Sequence, residues 1–493
     1  MEEQMKRQQL VSETANLIKP GARIFFIGIG GISMCGLAEL AKASGAVCAG
    51  SDAKPNQRCA YLESIGIPVA NGHDAKNIDE FKPDLVVMTR AIFADNPERL
   101  RAQALSLPLV ERAVFLGAIG QAFPQVVNIA GTNGKSTATA MAALILMESG
   151  VDPTVHLGAE LIEFKTTVHI GGDQHFVSEA CEFGRGFYYY HSDIAIILNI
   201  VHDHIDCYET LDDMIDAFVE FSANVKPGGT LCLPAGDPSI SDMWQRFSER
   251  YPALKKDLTI FTYGKEGTTF EGKAPDLVYR DLHYEDGLPR FNVTLYGEPY
   301  ADFTLNVPGE FNVENAMGAL AISIKSGGTP EAAQKVFSTF RGAEGRFTYT
   351  GKYNGCRIFA DYAHHPSAVK VTVAAARNIP AETLHVCFQP LTHSRVRGFF
   401  QEFVDSLKDV RPVYISEIYD DRERDASISS KDLVDEINRQ GGDAYYFKTN
   451  AELREHVRPL LKPGDVFLVM GVDLRQIADD LTERKTHLEA VES

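Results

Sequence analysis

Short apolar runs of strand length recur along the chain, separated by longer mixed segments that read as helices. Arg23-Ile24-Phe25-Phe26-Ile27, Ala46-Val47-Cys48-Ala49-Gly50 and Asp84-Leu85-Val86-Val87-Met88 form strands of a first unit, which closes near Phe123-Pro124. In a second unit, Val126-Val127-Asn128-Ile129 reads as a strand and Ala138 to Met147 as a helix. His175 to Ser178 and Ile194 to Leu198 read as buried strands, Leu258 to Leu305 as a more β-like stretch, and Asn312 to Lys325 as its late helix. A third unit starts around Arg341-Gly342, with strands at Arg357 to Ala360, His385 to Phe388, Val413 to Ser416 and Val466 to Met470. Strands alternating with helices predict mostly parallel sheets. The expected fold class is α/β in three domains: a Rossmann-like unit over 1–123, a central P-loop ATPase-type unit over 124–340, and a Rossmann-like C-terminal unit over 341–493. A length of 493 residues suits about three domains.

Composition narrows the functional classes. Lys plus Arg number 48 and Asp plus Glu 67, a formal net charge of −19. So acidic a surface argues against nucleic acid or anionic membrane as a general partner, while leaving room for local basic sites that take an anionic substrate. Met1 to Pro20 is polar and mixed in charge, without the apolar core of a signal peptide, and no apolar run reaches membrane-spanning length. The eight cysteines are scattered without metal spacing, which suits free thiols in a reducing cytoplasm.

The stretch Gly131-Thr132-Asn133-Gly134-Lys135-Ser136-Thr137 lies between a strand and a helix. Loop amides and a helix N-terminus suit a phosphate, Lys135 adds a point charge, and a hydroxyl can hold Mg²⁺. The usual spacing places glycine where Ile129 stands. A second loop, Gly28-Ile29-Gly30-Gly31-Ile32-Ser33, follows the first strand, and Asp52 ends the next. It fits three readings: a dinucleotide site lacking its third glycine, which is Ser33; a helix–strand packing turn; or a nucleotide-diphosphate site. Glu179-Ala180-Cys181-Glu182 and Asn199-Ile200-Val201-His202-Asp203-His204-Ile205-Asp206 follow buried strands at the edge where the phosphate loop opens. Carboxylates there suit Mg²⁺; imidazoles alone would suit zinc, for which a third well-spaced soft ligand is missing. Asp361-Tyr362-Ala363-His364-His365 and Thr392-His393-Ser394-Arg395 follow strands of the third unit and suit a small zwitterion beside a transferring phosphoryl group, although His365 and His393 taken alone also suit a helix cap.

These residues, taken in order, resemble the Mur ligases of peptidoglycan synthesis, and the resemblance covers nearly the whole chain. Gly28, Gly30, Gly31, Ile32 and Ser33, with Asp52, look like the family's UDP-sugar loop, and Asn96-Pro97-Glu98 like a recurring first-domain element. Gly131 to Thr137 looks like its shortened phosphate loop, which accounts for Ile129. The resemblance implies that Ser136, Glu179 and His204 hold Mg²⁺, with Glu179 and His204 at the ends of adjacent strands, and that Asn312 and Asn315 hold adenine. Asp361 to Pro366 is similar to the alanine-adding branch, in which Tyr362, His364, Arg346 and Arg395 would serve the acceptor. Departures from that branch are Ala180-Cys181-Glu182-Phe183 in place of an acidic run, Phe311 for His, Gly345 for Arg, Thr392 for Arg, and Val472 within a glycine-rich stretch. They touch the acceptor side more than the ATP side.

The resemblance implies an ATP- and Mg²⁺-dependent ligase that phosphorylates the lactyl carboxylate of UDP-N-acetylmuramate and joins it to L-alanine, with Lys135, His364 and Arg395 as catalytic residues. The expected assembly is a monomer or weak homodimer in the cytoplasm. A recycling ligase for murein tripeptide is the near alternative. A nicotinamide-dependent oxidoreductase would leave the Lys135 loop without a task, and a non-catalytic nucleotide sensor would leave the Lys135, Glu179 and His204 set without one.

Overall fold

The computed structural model describes residues 2–161, 163–205, 207–342, 345–420, 427–471 and 474–482, and the structural account concerns those residues; Val472 lies outside them. A first sheet is wholly parallel and contains β1 (Arg23–Ile27), β2 (Val47–Asp52), β3 (Val69–Asn71), β4 (Leu85–Met88) and β5 (Leu109–Glu111) in the Rossmann-like order β3-β2-β1-β4-β5. A second holds β6 (Gln125–Ala130), β7 (Thr154–His156), β8 (Val168–His169), β9 (His175–Glu179), β10 (Ser192–Ile197), β11 (Val225–Pro234), β12 (Thr259–Lys265), β13 (Leu277–Glu285), β14 (Leu288–Leu295) and β15 (Glu298–Thr304). Its order is β15-β14-β13-β12-β11-β10-β6-β9-β7-β8, and β13 to β15 form an antiparallel meander at one edge. The third contains β16 (Thr348–Tyr353), β17 (Cys356–Asp361), β18 (Leu384–Phe388), β19 (Val413–Ser416), β20 (Ala444–Phe447) and β21 (Val466–Met470), ordered β16-β17-β21-β18-β19-β20 and parallel except for β16.

Central strands carry apolar side chains on both faces because helices cover both, so they read as unbroken runs. Every residue of β21 is buried, as is every residue of β1 after Arg23. Each predicted strand forms. Of the strands the sequence did not announce, β3, β5, β7, β8, β16 and β20 are short or lie at sheet edges, where one covered face needs few apolar residues, whereas β11 is long and internal but is interrupted by polar residues and glycines, Lys226-Pro227-Gly228-Gly229. The Asn312 to Lys325 helix starts at Glu310, and Pro330–Thr339 adds a further helix before the third sheet.

One expectation is corrected. Glu179 ends β9 and His204 lies in the loop after β10, but these strands are not adjacent: β6 lies between them. Helical crossovers let consecutive strands land on either side of an earlier one, so chain order does not give sheet order. The outcome places the phosphate loop, which leaves β6, between the two clusters.

Asn96 caps the Pro97–Ala104 helix, and the fully buried Glu98 accepts from Ser51 Oγ at 2.6 Å and Asn77 Nδ2 at 2.7 Å, with His73 Nδ1 at 2.8 Å. The Asn96-Pro97-Glu98 element therefore braces the first sheet beneath Asp52. At the junction of the first and second sheets, His156 is 2% exposed. Burial lowers its pKa from 6.5 to about 4. On acidification the unfolded chain takes this proton before the folded one, so stability is present above about pH 6.5 and falls toward pH 4. His156→Gln removes that penalty. Between pH 7 and pH 4 its unfolding free energy, followed by urea titration, should gain on the parent's by roughly 3 kcal/mol; an unchanging difference would show that His156 keeps its ordinary pKa.

Candidate active site

The loop after β6 turns sharply. Gly131 has φ 138° and Gly134 φ 85°, and a Cβ on Gly134 would meet Asn315 Oδ1 at 2.0 Å, so only glycine fits there. A neighbouring segment fixes the loop. Asn133 N–H donates to Asn199 Oδ1 at 2.9 Å, Asn199 Nδ2 donates to Asn133 O at 3.0 Å, Thr132 N–H donates to Asn199 O at 3.0 Å, and Val201 N–H donates to Thr132 Oγ1 at 2.9 Å. The helix that follows, Lys135–Glu148, has no side-chain cap, so its first-turn amides are available to an anion.

Lys135 Nζ donates to Gly131 O at 2.5 Å and Thr132 O at 3.0 Å, and pairs with Glu182 Oε2 at 2.8 Å. Burial opposes both charges, but their attraction prevails: Glu182 is held below the usual carboxylate range and Lys135 above the usual ammonium value. His204 Nε2 lies 3.6 Å from Glu182 Oε1 and 4.0 Å from Asp203 Oδ2. Glu179, also buried, accepts from Gly158 N–H at 2.5 Å. Ser136 is buried in the first turn of the loop helix. Asn312 and Asn315 are buried at the start of the Glu310–Lys325 helix, which packs along the loop helix; Asn312 donates to Pro308 O at 2.8 Å.

Asp203 carries the charged series into the third sheet. Arg395 Nη2 donates to Asp203 Oδ1 at 2.8 Å, with both residues buried. Although burial opposes its charge, His204 and Arg395 hold Asp203 well below the usual carboxylate range. His364 donates from Nδ1 to Tyr362 O at 2.7 Å, its ring 4.9 Å from that of Tyr362, and Arg346 lies 5.0 Å over the Tyr362 ring. Burial, then Arg395, lowers the His364 pKa to about 3. His365 caps the Pro366–Arg377 helix, and His393 pairs with Asp420 at 2.8 Å, so these two histidines have structural partners. His204 and Thr392 are non-glycine residues in left-handed backbone, φ 52° and 59°, and flank the Asp203–Arg395 pair in sequence. Strain of this kind persists where surroundings over-determine a site.

The glycine loop of the first sheet is a separate pocket wall. Gly30 N–H donates to Asp52 Oδ2 at 2.9 Å, while Asn56 Nδ2 at 3.1 Å and Arg58 Nε at 2.9 Å donate to Gly30 O. Gly28 has φ 79°, and the Ile32–Ala43 helix, capped at Gly31, lacks a side-chain cap. Ser33 Oγ lies 3.2 Å from His156 Nε2 and accepts from Arg112 Nη1 at 2.9 Å, so the residue that breaks the dinucleotide pattern ties this loop to the second sheet. Ile32 is partly exposed.

The structure thus brings Lys135, Ser136, Glu179, His204, Asn312 and Asn315 to one edge of the second sheet, and links His204 through Asp203 to Arg395 and His364. Gly28 to Ser33 and Asp52 lie on the first sheet. Sequence reasoning did not single out Glu182, Asp203, Asn199 or Arg112. Glu182 and Asp203 lay within the clusters it noted, but which acid pairs with which base is set by the loops. Among the described residues, no group of three or more His, Cys, Asp and Glu is arranged to hold a metal alone. No helix there is long and apolar enough to cross a membrane.

Comparison with known proteins fits this arrangement. Three family models match in order: the Mur ligase family catalytic domain over residues 23–124, the Mur ligase middle domain over 129–323, and the Mur ligase glutamate ligase domain over 345–472. The chain is similar to the UDP-N-acetylmuramate–L-alanine ligase of Agathobacter rectalis, with 36% identity over 94% of this chain and 98% of that protein. Among solved structures it is similar to the UDP-N-acetylmuramate–alanine ligase of Thermotoga maritima, with TM-score 0.76, 26% identity and coverage of 94% of this chain and 98% of that one. It also shares the fold of a murein peptide ligase from Psychrobacter arcticus, with TM-score 0.68, 23% identity and coverage of 95% and 99%.

Gly134→Ala should abolish nucleotide binding measured by calorimetry, because the added methyl meets Asn315 and the left-handed backbone at once. Near-parental binding would mean that the loop and the Glu310–Lys325 helix move apart freely.

Proposed function

This chain belongs to the Mur ligase family, and on that premise we propose that it joins L-alanine to the lactyl carboxylate of UDP-N-acetylmuramate, using ATP and an acyl-phosphate intermediate. The observation that carries the reading is the run of polar side chains Lys135–Glu182–His204–Asp203–Arg395, each within 4.0 Å of the next, which spans from a phosphate loop to a cation able to hold a carboxylate. A carboxylate does not react with an amine at neutral pH without a leaving group, and a phosphoryl donor and an amino-acid acceptor must therefore meet at one place.

In this reading the three units, 1–123, 124–340 and 341–493, divide the work. Gly28, Gly30, Gly31, Ile32, Ser33 and Asp52 hold the UDP-sugar, whose pyrophosphate suits the uncapped Ile32–Ala43 helix. Gly131, Thr132, Asn133, Gly134, Ser136 and Thr137 take the triphosphate, and Asn312 and Asn315 the adenine. Lys135, now on Glu182, offsets charge on the transferring phosphoryl group. Ser136, Glu179 and His204 would hold Mg²⁺, with Glu182 as a further oxygen donor; when bound it supplies charge neutralisation at that group. The buried Glu179 carboxylate and Ser136 hydroxyl beside the phosphate loop are oxygen donors of the kind a hard cation takes when phosphate oxygens and water complete its shell. Arg395 takes the acceptor carboxylate, and Tyr362, Arg346 and His364, the last kept neutral by burial, line its pocket. The chain works in the cytoplasm as a monomer or weak homodimer.

The deciding experiment is phosphate release with UDP-N-acetylmuramate and ATP across amino acids and murein tripeptide. L-alanine should give the highest kcat/KM, with glycine lower by roughly 1–3 kcal/mol; preference for the tripeptide would make this a recycling ligase. Lys135→Ala should raise the barrier by about 3 kcal/mol or more, and it should also lower stability because the buried Glu182 loses its partner; near-normal turnover of the folded variant would remove Lys135 from the chemistry. Glu179→Ala and His204→Ala should each shift the Mg²⁺ titration of activity to higher concentration; unchanged midpoints in both would sink the metal assignment.

A further inference from the structure

We propose that Asp203 is a positioning residue for the acceptor: it clamps one arm of the Arg395 guanidinium across the gap between the second and third sheets and thereby aims the rest of the fork at the acceptor's carboxylate. This rests on the reading of Arg395 given above. The two residues lie 192 positions apart and are 7% and 8% exposed, yet Arg395 Nη2 and Asp203 Oδ1 are 2.8 Å apart. A guanidinium is a rigid plane with five N–H donors, so fixing one nitrogen on an immobile carboxylate fixes the direction of the others.

The carboxylate is itself held. Asp203 Oδ1 accepts from His204 N–H at 2.6 Å, and the same segment carries Asn199, which shapes the phosphate loop. Ring contacts join the same two segments: Phe399, four residues beyond Arg395, packs edge-on against His202, next to Asp203 in sequence, at 5.9 Å and against His365 at 4.7 Å. The position of Arg395 is therefore referred to the phosphate loop rather than to its own sheet alone. Asp203 sets the distance between the acceptor's carboxylate and the place where the acyl phosphate forms.

Asp203→Asn keeps an oxygen for the His204 amide and removes the charge that clamps Arg395. In steady-state assays of the full chain, the acceptor KM should rise about tenfold or more, as expected when a reacting group loses its alignment. The KM values for ATP and the UDP-sugar and the Mg²⁺ midpoint should move less than about twofold. In an Arg395→Lys background the same substitution should add little. Asp203→Glu, which keeps the charge on a longer stem, should give a smaller rise and serves if the Asn variant folds poorly. A fall in acceptor KM would show that Asp203 competes with the acceptor, and a shifted Mg²⁺ midpoint would show that it acts through His204; either overturns the proposal, as do additive effects in the double variant. If the parent prefers an acceptor other than L-alanine, the assignment of acceptor fails, and the same comparison made with the preferred acceptor decides the role of Asp203. Absence of ligation with every acceptor offered overturns both.

Discussion

The buried ion pair of Lys135 with Glu182 is the contact on which the rest of the site is built. Two charges removed from water are costly unless they meet each other with further hydrogen bonds. Here Lys135 also reaches two loop carbonyls, and Glu182 is close to His204, so each charge has several partners. The arrangement stores a cation at the mouth of an uncapped helix before any anion arrives. Its geometry depends on glycine at 131 and 134, which lets the backbone wrap around the ammonium, and on Asn199, which holds the loop open.

From that pair polar contacts run outward, and those between sheets join parts of the chain that are distant in sequence. Asp203 meets Arg395 on the third sheet, while Ser33 meets His156 and Arg112 between the first and second. Arg58 and Glu160, 3.3 Å apart, form another bridge between those sheets. This half-buried bridge contributes modestly to stability. The buried contacts matter more for register: an acceptor, a phosphoryl donor and a sugar acid have to be placed within ångströms of one another, and hydrogen-bonded charges tolerate less displacement than apolar packing does.

Local patterns made much of this legible in the sequence. The phosphate loop was readable residue by residue because its function depends on consecutive backbone amides beside a strand and a helix. The central strands were readable because burial on both faces leaves unbroken apolar runs. Glu182 was noted within a cluster but not chosen, since its pairing with Lys135 follows from a turn in which Gly184 and Arg185 adopt left-handed backbone. The pairing of Asp203 with Arg395 carries no local signal. The expectation that Glu179 and His204 end adjacent strands failed because topology, not sequence order, put β6 between them. Edge strands such as β3 and β20 gave weak patterns because only part of each is buried.

The departures from the alanine-adding pattern acquire physical meaning in this frame. Phe311, in place of histidine, packs against the core of the third sheet and adds apolar contact between that sheet and the helix carrying Asn312 and Asn315. Thr392, in place of arginine, sits in left-handed backbone with its amide donating to Tyr419 O at 3.0 Å. Without a guanidinium at position 392, the proposed orienting of the acceptor's carboxylate rests on Arg395, whose fork is fixed by Asp203. On the proposed reading, Thr392 and the buried Asp203–Arg395 contact are parts of one arrangement: the fewer the groups that grip the acceptor, the more Arg395 depends on being fixed to the phosphate-loop side.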